Sequence, residues 1–179
     1  MNEVREMKES MIQVICGPGR GKSAAALGKG ISALTRGMTV IMVQFLKGAD
    51  EIGNTDVIKR LEPEFKLFRF EKSSVCFESL SEQEKEEASA NIRNGLNFAR
   101  KVLTTGECDM LILDEILGIV DEGILTAEEL AAMIGQARQA QIRLLLTGTV
   151  YPAILDSCVD EVTRIQTRFE DGLDKESVQ

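Results

Sequence analysis

The sequence predicts an α/β fold with a mainly parallel β-sheet and helices on both of its faces. Three observations lead there. Short apolar, β-favouring runs alternate with stretches of helical periodicity. The runs are apolar at successive rather than alternate positions, as strands buried on both faces must be. A glycine-rich turn, Gly17-Pro18-Gly19-Arg20-Gly21-Lys22-Ser23, joins the first run directly to the first helical stretch.

Strands are expected at residues 11–16, 39–45, 65–70, 110–113, 143–147 and 162–166. The first helix follows Ser23, with Leu27, Ile31 and Leu34 at helical spacing and Gly37 placed to end it. A second starts at Ser81, with Glu84 as its capping-box partner. It turns Ala88, Ile92, Ala99 and Val102 inward and stops near Gly106. A third opens with Thr126 and Glu129 in the same arrangement and buries Leu130, Ile134 and Ala137. Tyr151-Pro152 reads as a further helix start, with structural capping as its role.

A chain of 179 residues can bury one full core and is short for two ordinary domains. It divides into a charged N-terminal extension over 1–10, a single domain over 11–169, and a polar tail over 170–179 that is expected to be disordered. The formal charge of -8 and the lack of a Lys/Arg cluster argue against nucleic acid as a partner. No apolar run has the length of a membrane span and the first residues carry no signal-peptide core, so a cytoplasmic protein without a membrane partner is expected. Cys16, Cys76, Cys108 and Cys158 are scattered and the chain has no histidine, which argues against a zinc site or a disulfide framework. Buried free thiols are the expectation for most of them.

The turn carries the first chemistry. Gly17, Gly19 and Gly21 let successive backbone N–H groups face one anion, Lys22 can reach terminal phosphates, and the hydroxyl of Ser23 can hold Mg²⁺. Pro18, Arg20 and Ala24 complete the candidate nucleotide-binding set. The usual spacing has glycine where Cys16 stands, and Pro18 removes one amide donor. The second signal is the apolar run 110–113, which ends in Asp114-Glu115 and would bring carboxylates to the metal beside Ser23. Because a strand's side chains alternate, only one of the two can face the metal directly. Gln44 sets an amide inside an apolar strand and needs a partner, which suits a place near the nucleotide. Lys47 reads equally as a reach toward phosphate or ribose and as a solvated loop lysine.

Four segments together, Gly17 to Ser23, Val43-Gln44-Phe45-Leu46-Lys47-Gly48, Leu113-Asp114-Glu115 and Leu146-Thr147-Gly148, resemble the P-loop type of ATP:corrinoid adenosyltransferase, the cob(I)alamin or cob(I)yrinic acid a,c-diamide adenosyltransferase family. The resemblance spans roughly residues 11 to 165, and the Gln-Phe-Leu-Lys-Gly run is its most particular part. It implies a RecA-like sheet, ATP and a Co(I) corrinoid as substrates, and release of triphosphate. It also implies Mg²⁺ with Glu115 as the contacting carboxylate, a flavoprotein reductant and a homodimer. Lys22, Ser23 and Glu115 would be the catalytic residues.

Three positions depart from the family pattern. Its Gly-Phe-Thr-Trp run has no counterpart, and Ser73-Ser74-Val75-Cys76-Phe77 stands in about that region, which leaves Phe77 as the corrinoid-covering candidate or, equally, a core residue. Thr149 replaces an arginine, and no Lys-His pair follows Arg164. A P-loop ATPase or kinase, or a non-catalytic ATP- or corrinoid-binding relative, is the alternative function.

Overall fold

The computed structural model describes residues 10–46, 56–70 and 80–168. Lys47, Cys76, Phe77, most of the N-terminal extension and the polar tail lie outside the described residues. Six strands, β1 (Ile12–Cys16), β2 (Val40–Gln44), β3 (Phe65–Arg69), β4 (Met110–Asp114), β5 (Arg143–Gly148) and β6 (Glu161–Arg164), form one sheet in the order β3-β2-β4-β5-β1-β6. Every pairing is parallel. The four inner strands are apolar and almost wholly buried, which is why their sequences show no alternation.

The helices are α1 (Lys22–Leu34), α2 (Asp56–Lys59), α3 (Glu82–Thr105), α4 (Ile116–Asp121) and α5 (Ala127–Gln139). Both expected capping boxes form: Ser81 with Glu84 on α3, and Thr126 with Glu129 on α5. Gly106 ends α3 in the left-handed conformation. The short α2 and α4 escape periodicity because neither is long enough to repeat a face. Tyr151-Pro152 leads into a 3-10 turn (Ala153–Ser157) rather than an α-helix.

Two cores flank the sheet. On one side Ile92, Leu96 and Val102 of α3, Ile116 and Leu117 of α4, and Leu130 and Ile134 of α5 pack on Val14, Val43, Leu111, Leu113 and Leu144. The other side holds Ile15, Met42, Ile112, Leu145 and Phe65 under α1.

The inward faces of α3 and α5 are those expected, but that of α1 is rotated by one residue. Ala26, Gly30 and Ala33 are buried while Ile31 is 42% exposed, and Leu27 and Leu34 only flank the contact. The cause is close approach. A Cβ at Gly30 would stand 2.7 Å from the Phe65 ring and 3.0 Å from Ile112 Cδ1, so small residues, not the bulky ones, meet the sheet.

Candidate active site

With all strands parallel, their carboxyl ends share one edge, and register decides which side chains meet there. Arg69 stands opposite Gln44 and Gln44 opposite Asp114, while Cys16, where the glycine-rich loop begins, stands opposite Gly148. The first three form a hydrogen-bonded row. Arg69 Nε donates to Gln44 Oε1 at 3.0 Å, and Gln44 Nε2 donates to Asp114 Oδ2 at 2.8 Å. On the other carboxylate oxygen, Ser23 Oγ donates to Asp114 Oδ1 at 3.0 Å and Thr147 Oγ1 donates at 2.6 Å. Asp114 and Thr147 are fully buried and Gln44 and Ser23 nearly so, and such a carboxylate is tolerated because hydroxyls and an amide satisfy it.

Glu115 leaves the strand in the left-handed region, with φ 64°, and its N–H donates to Thr147 Oγ1 at 2.9 Å. Its carboxylate turns toward α4: a Cβ at Gly118 would lie 3.3 Å from Glu115 Oε2. Asp114 accepts the Ser23 hydroxyl from inside the sheet, while Glu115 lies over the start of α4. Leu46, just past β2, also has a positive φ of 51°. Non-glycine residues in this region carry strain of order 1 kcal/mol, and Leu46 and Glu115 follow the neighbouring strands β2 and β4.

In the loop, Lys22 Nζ donates to the carbonyls of Gly17 and Gly19, both at 2.9 Å, and is itself buried. An ammonium has three donors, so one N–H remains for a ligand. Gly17 adopts φ 113° and donates to the Thr149 carbonyl at 3.0 Å. Pro18, Arg20, Gly21 and Ala24 are exposed. The start of α1 differs from the starts of α3 and α5. Gly21 caps it with no side chain, and its first turn holds no acid, whereas the other two carry capping boxes and acids. A helix N-terminus kept free of its own anion is suited to hold a foreign one.

Ser23 Oγ gives its proton to Asp114 and keeps lone pairs for a hard cation. Among the described residues no group of three or more His, Cys, Asp or Glu converges. An Mg²⁺ here would be held by Ser23 with Asp114 or Glu115 as the carboxylate beside it, phosphate oxygens and water completing its ligands. The residues fit that ion.

Two members of the cluster, Thr147 and Arg69, were not singled out as site residues from the sequence. Thr147 leaves the same trace as Gln44, a hydrogen-bonding side chain inside an apolar strand. Arg69 leaves none, because only register brings it to Gln44. Of the expected thiols, Cys16 and Cys108 are buried and free, and Cys158 is half-buried and free. Burial pushes the Cys108 thiol up to about 12.

A parallel sheet whose first strand runs through a glycine-rich loop into a helix, with a carboxylate from an inner strand on the loop's serine, defines a P-loop nucleotide-binding protein. Its fold is RecA-like: the KaiC-like protein PH0186 of Pyrococcus horikoshii superimposes with a TM-score of 0.57 over 90% of this chain and 75% of that one, at 15% identity. Within that class, the chain belongs to the ATP:corrinoid adenosyltransferase family, whose BtuR/CobO/CobP model matches residues 8–174. It is 27% identical over 169 residues to the corrinoid adenosyltransferase of Pseudomonas aeruginosa, covering 93% of this chain and 81% of that protein. It is 28% identical to the corrinoid adenosyltransferase of Escherichia coli K12, covering 93% and 83%. The corrinoid adenosyltransferase CobA of Salmonella typhimurium is similar at 28% identity over the same shares.

Proposed function

We propose that this protein transfers the 5′-deoxyadenosyl group of ATP to the Co(I) of a reduced corrinoid, cob(I)alamin or a cob(I)yrinic acid precursor. The observation that carries the reading is the Ser23–Asp114–Thr147–Gln44 cluster at the foot of an uncapped helix N-terminus, in a chain of the corrinoid adenosyltransferase family. The cobalt lone pair forms a bond to C5′ of the ribose. The C5′–O bond breaks, and its electrons leave on the triphosphate.

Co(I) is nucleophilic without help, so the protein needs no general base. Its tasks are to align C5′ and to stabilise the departing anion. Lys22, the amides at the start of α1 and the Arg20 side chain supply positive potential to that anion. Mg²⁺, when bound at Ser23, adds charge neutralisation of the triphosphate oxygens. Asp114 aims the Ser23 hydroxyl, and Thr147 ties Asp114 to the Glu115 turn. In this reading Glu115 is the carboxylate that would contact the Mg²⁺, Lys47 reaches the phosphates or ribose, and Phe77 covers the corrinoid. Co(I) requires an electron donor, for which a flavoprotein reductase is the proposed partner. The protein acts as a cytoplasmic homodimer, a setting its free cysteines suit.

The test is an anaerobic reaction of the protein with Mg-ATP and chemically reduced corrinoid, following Co–C bond formation by absorbance alongside triphosphate. Equimolar adenosylcorrinoid and triphosphate are expected. Inorganic phosphate released without any Co–C bond would replace the transferase with an ATPase.

A further inference from the structure

The first half of the phosphate loop is already occupied by this chain's own C-terminal side. Beyond β6 the backbone runs alongside the loop, with Ile165 N–H donating to the Cys16 carbonyl at 2.8 Å and Gly19 N–H donating to the Ile165 carbonyl at 3.0 Å. Arg20 N–H donates to Thr167 Oγ1 at 2.9 Å. Gly17 N–H is held by Thr149, and Pro18 has none to give. Residues 17–20 therefore present no uncommitted N–H, while the amides at 21–24 stand at the helix start, where no intrahelical acceptor exists. The fit is steric as well. A Cβ at Gly19 would lie 2.8 Å from Ile165 C, Ile165 O and Thr167 N, and one at Gly17 would run into the Ile165 carbonyl.

We infer that residues 165–167 are a clasp that sets the phosphate loop, confining the backbone grip on the nucleotide's phosphates to residues 21–24, and that Thr167 is a positioning residue for that grip. The inference rests on the phosphate-binding part of the proposed function and deepens it. A loop tied at 17, 19 and 20 cannot spread along a chain of phosphates. It offers one compact set of donors at the end of α1, ordered before the ligand arrives, so less entropy is lost on binding. The Thr167 side chain is exposed and meets the loop through its hydroxyl, which makes that contact separable from folding.

The experiment is calorimetric titration of the full chain with inorganic triphosphate and with Mg-ATP, without corrinoid, for the parent, Thr167→Val, Thr167→Ser and Gly19→Ala. Losing one hydrogen bond that orders the loop should weaken binding about fivefold in Thr167→Val, and Thr167→Ser should restore it. In turnover, Thr167→Val should raise the KM for ATP by the same factor with kcat unchanged. Gly19→Ala, which forces the clasp away at a position without a positive φ, should weaken binding by about tenfold or more.

Unchanged affinity in Thr167→Val overturns the inference, as does equal weakening in Val and Ser. Tighter binding also overturns it, because the segment would then compete with phosphate for the Arg20 amide. Because the titration uses no corrinoid, a protein that binds triphosphate in this pattern but adenosylates nothing would sink the transferase reading and leave the clasp standing.

Discussion

Two aspartates at opposite ends of the same sheet are held in different ways. At the carboxyl edge, Asp114 is fully buried and is gripped by two hydroxyls and an amide, from Ser23, Thr147 and Gln44. At the amino edge, just before β6, Asp160 accepts the Ile12 N–H at 2.7 Å and an Arg138 guanidinium N–H at 2.7 Å, with 39% of its side chain exposed. At the carboxyl edge the hydroxyls and the amide fix the direction of the carboxylate, and at the amino edge a guanidinium both fixes the direction and compensates the charge. Asp160 thus pins β1 and α5 to the start of β6, and its pair acts within the fold. Asp114 holds the hydroxyl of the loop's own Ser23, a geometry that under the proposed function serves the nucleotide.

Breaking the buried partner should have the largest effect. Asp114→Ala leaves buried donors on Ser23, Thr147 and Gln44 without their acceptor, and should cost roughly 3 kcal/mol in urea unfolding. Adenosylation should fall at least ~100-fold with it. A variant that keeps its urea midpoint would remove the distinction between the two aspartates.

Lys22→Ala separates function from fold at the same edge. The expected loss of adenosylation is about 100-fold or more, with the fold retained in circular dichroism. Normal turnover by this variant would count against every nucleotide-processing reading of the loop.

Glu115→Gly sharpens the contrast further, because its backbone strain is relieved by glycine. Stability should rise by up to about 1 kcal/mol in denaturant melts while activity drops, since the carboxylate near Gly118 is lost. A variant that gains no stability would show that the Thr147 hydrogen bond alone sets this turn.

The smallest effect belongs to Asp160. The Arg138 guanidinium, then the Ile12 N–H, hold its carboxyl below the usual carboxylate range. A depressed folded pKa means the contribution is fully present above the unfolded value of about 3.9 and is lost as pH falls through the folded one. The melting-temperature advantage over Asp160→Asn should therefore be present near pH 7 and shrink toward about pH 3. A gap of constant size across that range would mean that packing, not charge, secures the amino edge.

Elements whose cause is local were legible in advance. The capping boxes at Ser81 and Thr126 need only a hydroxyl and an acid three residues apart, and the loop from Gly17 to Ser23 needs only small residues between a strand and a helix. Apolar runs without alternation likewise require a sheet covered on both faces, which is the sheet observed. The acids at 114 and 115 were visible as a pair, but which of them meets Ser23 was not.

By itself, then, the sequence determined the α/β class, the phosphate loop and the family resemblance, because each rests on side chains close in the chain. Tertiary structure alone decided the row Arg69–Gln44–Asp114, the place of Thr147, the inward face of α1 and the clasp at residues 165–167. Those depend on strand register, on how closely Gly30 lets a helix approach Phe65, and on contacts between segments more than a hundred residues apart. No local pattern encodes them, because the energy that selects them appears only when the whole sheet is assembled.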